Sequence, residues 1–173
     1  MSPQHIFLKL GGSLLTEKTG HEALRPQVLA RLAAEIAQAR AEQAGFSLVL
    51  GHGSGSFGHV AGARHGTRTG VSGPEGWFGF AEVADAAARL NRHVVAALLS
   101  AGVPAIGVAP SASAQVADGK IIYLATTTIE SALNNGLVPV VFGDVAFDST
   151  RGGTIISMEE VLDYLAGKMR GGW

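Results

Sequence analysis

Lys9, Gly11, Gly12 and Ser13 stand together at the end of a short apolar run, and Lys18 follows a few residues later. A second apolar run, Leu48 to Leu50, breaks into the loop HGSGSFGH, which holds Gly53, Ser54, Gly55 and Gly58 and closes on His59. A third, VPVVF, ends in Gly143 and Asp144. Glycines at such ends let a ligand approach the main-chain N–H groups. Successive N–H groups leading into a helix N-terminus make a polarised concavity whose common ligand is phosphate. Ammonium groups, amides and an imidazole around a phosphate, with a carboxylate beside them, suit phosphoryl transfer. That chemistry depends on positioning and charge neutralisation more than on a protein nucleophile.

Other readings of the glycine loop must be weighed. Gly53, Gly55 and Gly58 satisfy the dinucleotide pattern G-x-G-x-x-G, but that fold needs a second strand ending in an acidic residue about 20 residues on. Residues 61–79, AGARHGTRTGVSGPEGWFG, contain no apolar strand-like run. No Gly-Lys-Ser/Thr follows, so the loop is not a Walker-type P-loop. A phosphate loop of another kind and a plain close-packing turn remain open.

The chemistry requires the three apolar runs to be neighbouring parallel strands, because ligands of open α/β sheets bind beyond the strands' carboxyl ends. The pattern supplies strands at 5–10, 47–50, 103–108 and 138–142, with a short hairpin strand at 119–124. Helices are expected at 26–44, where Pro26 suits the first turn and Val28, Leu32 and Ile36 recur at fourfold spacing, at 78–100, and at 126–135. Fully apolar strands between helices predict an α/β fold, a three-layer α/β/α sandwich with a mostly parallel central sheet.

At 173 residues and 47% hydrophobic content, the chain is expected to form a single domain. A net charge of −1, with no basic run, speaks against nucleic-acid partners. Cysteine is absent, which removes disulfides and thiolate metal sites. The N-terminus lacks signal-peptide character and no apolar stretch reaches membrane-spanning length, so a cytoplasmic protein is expected. His5, His21, His65 and His93 show no metal-ligand spacing and read as surface or packing residues.

KLGGS at 9–13, Lys18, HGSGSFGH at 52–59, GFAEVADAAARLN at 79–91, VPAIGVAPSAS at 103–113, VPVVFGDVAFD at 138–148 and GGTIIS at 152–157 occur in an order that resembles the amino acid kinase superfamily. Within it the chain is most similar to the isopentenyl phosphate kinases. The resemblance implies transfer of the ATP γ-phosphoryl group, with Mg2+, to isopentenyl phosphate, and it implies a homodimer. It also implies that Lys9 contacts the exchanged phosphates, that Gly11, Gly12, Ser13 and Gly55 serve ATP, and that Lys18 stabilises the transition state. Ser54, His59 and Gly143 would bind the acceptor, and Asp144 would organise the lysines. Fosfomycin-type and other phosphonate or monophosphate kinases share the histidine and remain the alternative acceptor class.

Residue by residue, plainer readings stand beside these: a solvated loop charge for Lys18 and an exposed loop histidine for His59. Phe80, Val83 and Ala87, preceded by Trp77 and Phe78, either wall a pocket for an isoprenoid tail or form ordinary core. Ser54 departs from the family, which commonly has glycine there. The family continues beyond GGTIISMEEVLDYLA into a lobe that holds most adenine and ribose contacts, and this chain stops at Trp173. Residues 1–173 are therefore expected to correspond to the N-terminal, phosphate-acceptor-binding part of the fold. ATP binding is expected to be weakened or absent, with a non-catalytic binding or dimerisation module as the further alternative.

Overall fold

The computed structural model describes residues 4–17, 22–43 and 45–169. Its strands are β1 (Gln4–Leu10), β2 (Phe46–His52), β3 (Ala105–Gly107), β4 (Gln115–Ala117), β5 (Lys120–Tyr123), β6 (Val138–Phe142), β7 (Asp144–Asp148) and β8 (Gly152–Ile156). Its helices are α1 (Gly12–Leu15), α2 (Pro26–Glu42), α3 (Gly55–His65), α4 (Gly73–Ser100), α5 (Thr127–Asn134) and α6 (Met158–Lys168).

β1, β2, β6 and β3 form one sheet in that order, and every neighbouring pair is parallel. The ends of β1, β2 and β6 therefore meet on one edge, with Leu10 opposite His52 and His52 opposite Phe142. Alternation along β2 sends Leu48 and Leu50 to one face, where they join Leu29, Ala33 and Ile36 of α2 and Val94 and Leu98 of α4. Val49 faces the other way, toward Ile129 of α5 and Val161 and Leu165 of α6. Helices thus cover both faces, which is why β6 and the centre of β2, residues 48–50, are apolar and buried. The α/β/α reading holds.

A second, mixed sheet runs β5-β4-β7-β8. The chain reaches it from β6 through Gly143 alone. The hairpin strand read at 119–124 pairs antiparallel with β4 across Asp118 and Gly119, both at positive φ (48° and 77°), which is the turn chemistry of an Asp-Gly hairpin. Buried Asp148 pins this turn to the next one. Its carboxylate accepts from the amides of Asp118, Gly119, Thr150 and Arg151 at 2.7–3.1 Å. Burial opposes its ionisation, but the four amides outweigh burial and hold the carboxyl below its ordinary value. Asp148→Ala leaves those N–H groups without their acceptor and is expected to cost about 3 kcal/mol in a urea melt at pH 7. The folded carboxyl titrates lower than the unfolded one, so the stability difference between wild type and variant should shrink below about pH 4.

Several elements differ from the sequence reading: α1, α6, β4, β7 and β8 were not expected, and β3 is shorter than the strand read at 103–108. The long helix begins at Gly73 rather than 78, with Pro74 in its first turn. Residues 55–65 are helical despite three glycines, each of which costs about 1 kcal/mol in a helix interior. Packing decides it: Phe57 is buried against Ala86 and Leu90 of α4. At Gly62, a Cβ would stand 2.9 Å from Ile155 Cδ1.

Candidate active site

A cavity of about 520 Å³ opens at the edge where β1, β2 and β6 end. Lys9, Gly11, Gly12 and Ser13 line it from the β1 end, Gly53, Ser54, Gly55 and Gly58 from the β2 end, and Gly143 from the β6 end. Ser157, Met158 and Glu159 close it from the first turn of α6, while Arg68 and Ile155 form the far wall.

The two glycine loops are packed backbone against backbone. A Cβ at Gly12 would lie 2.5 Å from the Gly55 nitrogen, and one at Gly55, where φ is +52°, would lie 2.3 Å from Thr16 Oγ1. Buried Thr16 ties the loops together, its hydroxyl donating to the Gly12 carbonyl and accepting from the Ser56 amide, both at 2.9 Å. The first turn of α3 is thereby held beside α1, and the N-termini of α3 and α6, each with its partial positive charge, face the same space.

Lys9 Nζ pairs with Glu159, which is 150 residues away in the chain. The Lys9 ammonium holds the Glu159 carboxyl below its ordinary value. Glu160, next along, accepts from the Ser157 amide while Ser157 Oγ accepts from the Glu160 amide, a capping box that starts α6 at the cavity wall. Arg68 Nη2 lies 3.9 Å from Glu160.

The structure thus brings Lys9, Gly11, Gly12, Ser13, Ser54, Gly55 and Gly143 to one cavity. Lys18 lies outside the described residues, as does the side chain of His59, whose backbone belongs to α3. Asp144 does not pair with Lys9. Its side chain is buried and accepts from the amides of Ser111 at 3.0 Å and Val145 at 2.8 Å, anchoring the 110–112 turn, while burial pushes its carboxyl up. The carboxylate on Lys9 is Glu159, which the sequence reading missed along with Arg68 and Thr16. The Ser157-x-x-Glu160 pattern was the available signal for a helix start there. Phe80 and Val83 pack with Val71 and Val145 behind Ile155, so that stripe is core that backs the cavity.

His52, at the end of β2, is fully buried. Its ring stacks on Phe142 at 5.6 Å, and burial pulls its pKa to about 4 against a partial opposing effect of its bond to Gly53. The unfolded chain takes up a proton near pH 6.5 that the folded protein refuses until about pH 4, so this residue lowers stability as pH falls through that interval. Wild type is expected to lose about 2 kcal/mol more than His52→Phe between pH 7 and pH 5 in parallel urea melts. Equal losses would contradict the neutral, buried assignment.

Residues 4–171 match the model of the amino acid kinase family. The chain belongs to that family. It is 37% identical over 168 residues to an isopentenyl phosphate kinase of Methanothermobacter thermautotrophicus, covering 93% of this chain and 62% of that protein. It is 32% identical to one of Methanocaldococcus jannaschii, covering 95% and 65%. The chain therefore spans a little under two thirds of the length of these curated relatives. Among solved structures, one described as X-ray structures of isopentenyl phosphate kinase superposes with a TM-score of 0.88 at 35% identity, covering 96% of this chain and 69% of that one. The product complex of the T. acidophilum isopentenyl phosphate kinase gives 0.81 at 25%, covering 96% and 66%. A Giardia carbamate kinase, at 12% identity and a TM-score of 0.70 over 98% and 70% of the two chains, shares the fold alone. Among the described residues, no helix is long and apolar enough to cross a membrane.

Proposed function

We propose that residues 1–173 act as one domain, the acceptor-binding part of an ATP-dependent kinase that phosphorylates isopentenyl phosphate to isopentenyl diphosphate. The observation that carries this reading is the meeting of Lys9 and two glycine loops at a single cavity on the strand ends. The isopentenyl phosphate kinases among its relatives supply the acceptor.

In the proposed reaction an oxygen of the acceptor monophosphate attacks the γ-phosphorus of ATP. The bond from that phosphorus to the β–γ bridging oxygen breaks, and ADP leaves with that oxygen. Both reactants are polyanions, because a phosphate monoester loses its second proton near pH 6. Lys9 and Lys18 offset the repulsion. Gly11, Gly12, Ser13 and Gly55 offer N–H donors to ATP, while Ser54, Gly143 and His59 hold the acceptor phosphate. Glu159 keeps the Lys9 ammonium at the cavity until phosphate replaces it, a competition that a half-exposed ion pair worth about 1 kcal/mol or less readily loses. Ile155 gives the acceptor tail an apolar wall.

Mg2+ supplies charge neutralisation when bound. Among the described residues there is no group of three His, Cys, Asp or Glu side chains able to hold a metal. The donor set fits an ion carried mainly by nucleotide phosphates and water, with Glu159 as the available carboxylate. The same reading makes the protein a cytoplasmic homodimer, which sedimentation of the purified chain checks. ADP release coupled to NADH oxidation, measured with isopentenyl phosphate beside fosfomycin and a simple alkyl monophosphate, tests the function. At ATP concentrations high enough to offset weakened nucleotide binding, turnover is expected with isopentenyl phosphate foremost. Turnover with fosfomycin alone would overturn the acceptor, and none with any acceptor would overturn the kinase reading for this chain.

A further inference from the structure

Behind the β2 loop, on the side away from the cavity, lies a buried polar pair that the proposed reaction does not use. His52 Nδ1 lies 3.0 Å from the Gly53 carbonyl oxygen, and its Nε2 lies 3.1 Å from Asn91 Nδ2 on α4. Both side chains are buried, His52 completely and Asn91 to 7% exposure. Asn91 Nδ2 also faces the Val140 carbonyl at 3.5 Å, so the amide's donor end points at two acceptors. With a donor on Nε2, the neutral ring must carry its proton on Nδ1 and give it to Gly53. Room for this arrangement is built in: a Cβ at Gly107 would stand 2.5 Å from Asn91 Oδ1.

The consequence follows from peptide geometry. His52 lies on the same face of β2 as Leu50, the face covered by α2 and α4. Its ring draws the Gly53 carbonyl toward that face. In a planar trans peptide the C=O and the following N–H point in opposite directions. The Ser54 N–H is therefore turned to the opposite side, where Lys9, Ser157 and Glu159 line the cavity. The Gly53 amide is held separately, donating to the Leu10 carbonyl at 3.2 Å, so the peptide between Gly53 and Ser54 is the one left for the histidine to orient.

We propose that His52 and Asn91 are a positioning pair that fixes the Gly53–Ser54 peptide with the Ser54 amide aimed into the cavity, where it donates to a phosphate group. The phosphate half of this statement rests on the kinase reading above. His52 acts through the peptide and Asn91 acts through His52; neither touches the ligand. A glycine before Ser54 makes the loop free to flip, and this pair removes that freedom before any ligand arrives.

The test begins with the wild-type chain. Long-range 15N–1H spectra at pH 7 should show His52 protonated on Nδ1 and bare on Nε2; the opposite tautomer overturns the proposal without any variant. Adding isopentenyl phosphate should move the Ser54 amide resonance strongly downfield. A Ser54 amide that stays still while the ligand binds also overturns it. In calorimetry, Asn91→Leu and His52→Phe should each bind isopentenyl phosphate about tenfold more weakly than wild type, the worth of one hydrogen bond to a charged group. The Ser54 response should be lost in both, which a general loosening of the core would not single out. Wild-type affinity in a folded variant overturns the positioning pair and leaves the kinase reading intact. Absence of binding by the wild type overturns the kinase reading and the phosphate half of this proposal, while the tautomer still judges the loop half.

Discussion

Lys9→Ala is expected to lower kcat for ADP release with isopentenyl phosphate about a thousandfold while leaving the melting temperature within about 2 °C of wild type. A cation aimed at phosphoryl oxygens acts on charge that spreads in the transition state, and removing such a group typically costs 10³ or more in rate. The stability side is small because Lys9 is 37% exposed and Glu159 is 61% exposed, so the carboxylate left behind stays hydrated. Lys9→Met keeps the aliphatic stem and should fail equally, which separates charge from packing. Activity within threefold of wild type in either variant would show that Lys9 does not meet the transferred group.

Gly12→Ala should damage stability and binding together. Its Cβ would press on the Gly55 nitrogen at 2.5 Å and the Gly55 Cα at 2.8 Å, and these are backbone atoms that cannot rotate aside. The β1 and β2 loops would have to separate, at a cost of about 2–3 kcal/mol. That separation would pull Thr16 away from the Ser56 amide and shift the first turn of α3. Urea melts should show the loss, and isopentenyl phosphate binding should weaken at least tenfold even at temperatures where the variant is fully folded. Gly11→Ala is the control, because a Cβ there meets nothing within 4 Å. It should retain both properties, and equal damage by the two substitutions would contradict the close-packed account.

What could be read in advance, and what could not, divides along the range of the interactions. Strands such as Val138–Phe142 announce themselves because both of their faces are buried, and glycine marks where each ends. The common edge followed from that pattern together with the rule for parallel sheets. The helix over Gly55–His65 was hidden because its sequence argues against helix, and only Phe57 packing on Ala86 and Leu90 makes it form. Glu159 was hidden for a different reason. Its partnership with Lys9 spans 150 residues, and no local pattern carries that information. Asp144 stands beside Gly143 in the sequence, but which amides its buried carboxylate accepts from, those of Ser111 and Val145, is decided by the distant 110–112 turn packing against β7. His52 looked like one more residue of a polar loop; its burial depends on α4 crossing behind the sheet and delivering Asn91.

A crystal structure of the chain with bound isopentenyl phosphate tests the central claim most directly. The account predicts the phosphate in the cavity at the ends of β1, β2 and β6, within hydrogen-bond distance of the Ser54 amide, with Lys9 Nζ turned from Glu159 toward the phosphate oxygens and the tail along Ile155. A phosphate bound elsewhere on the molecule, or one in the cavity with Lys9 still paired to Glu159 and the β2 loop amides unused, would contradict it.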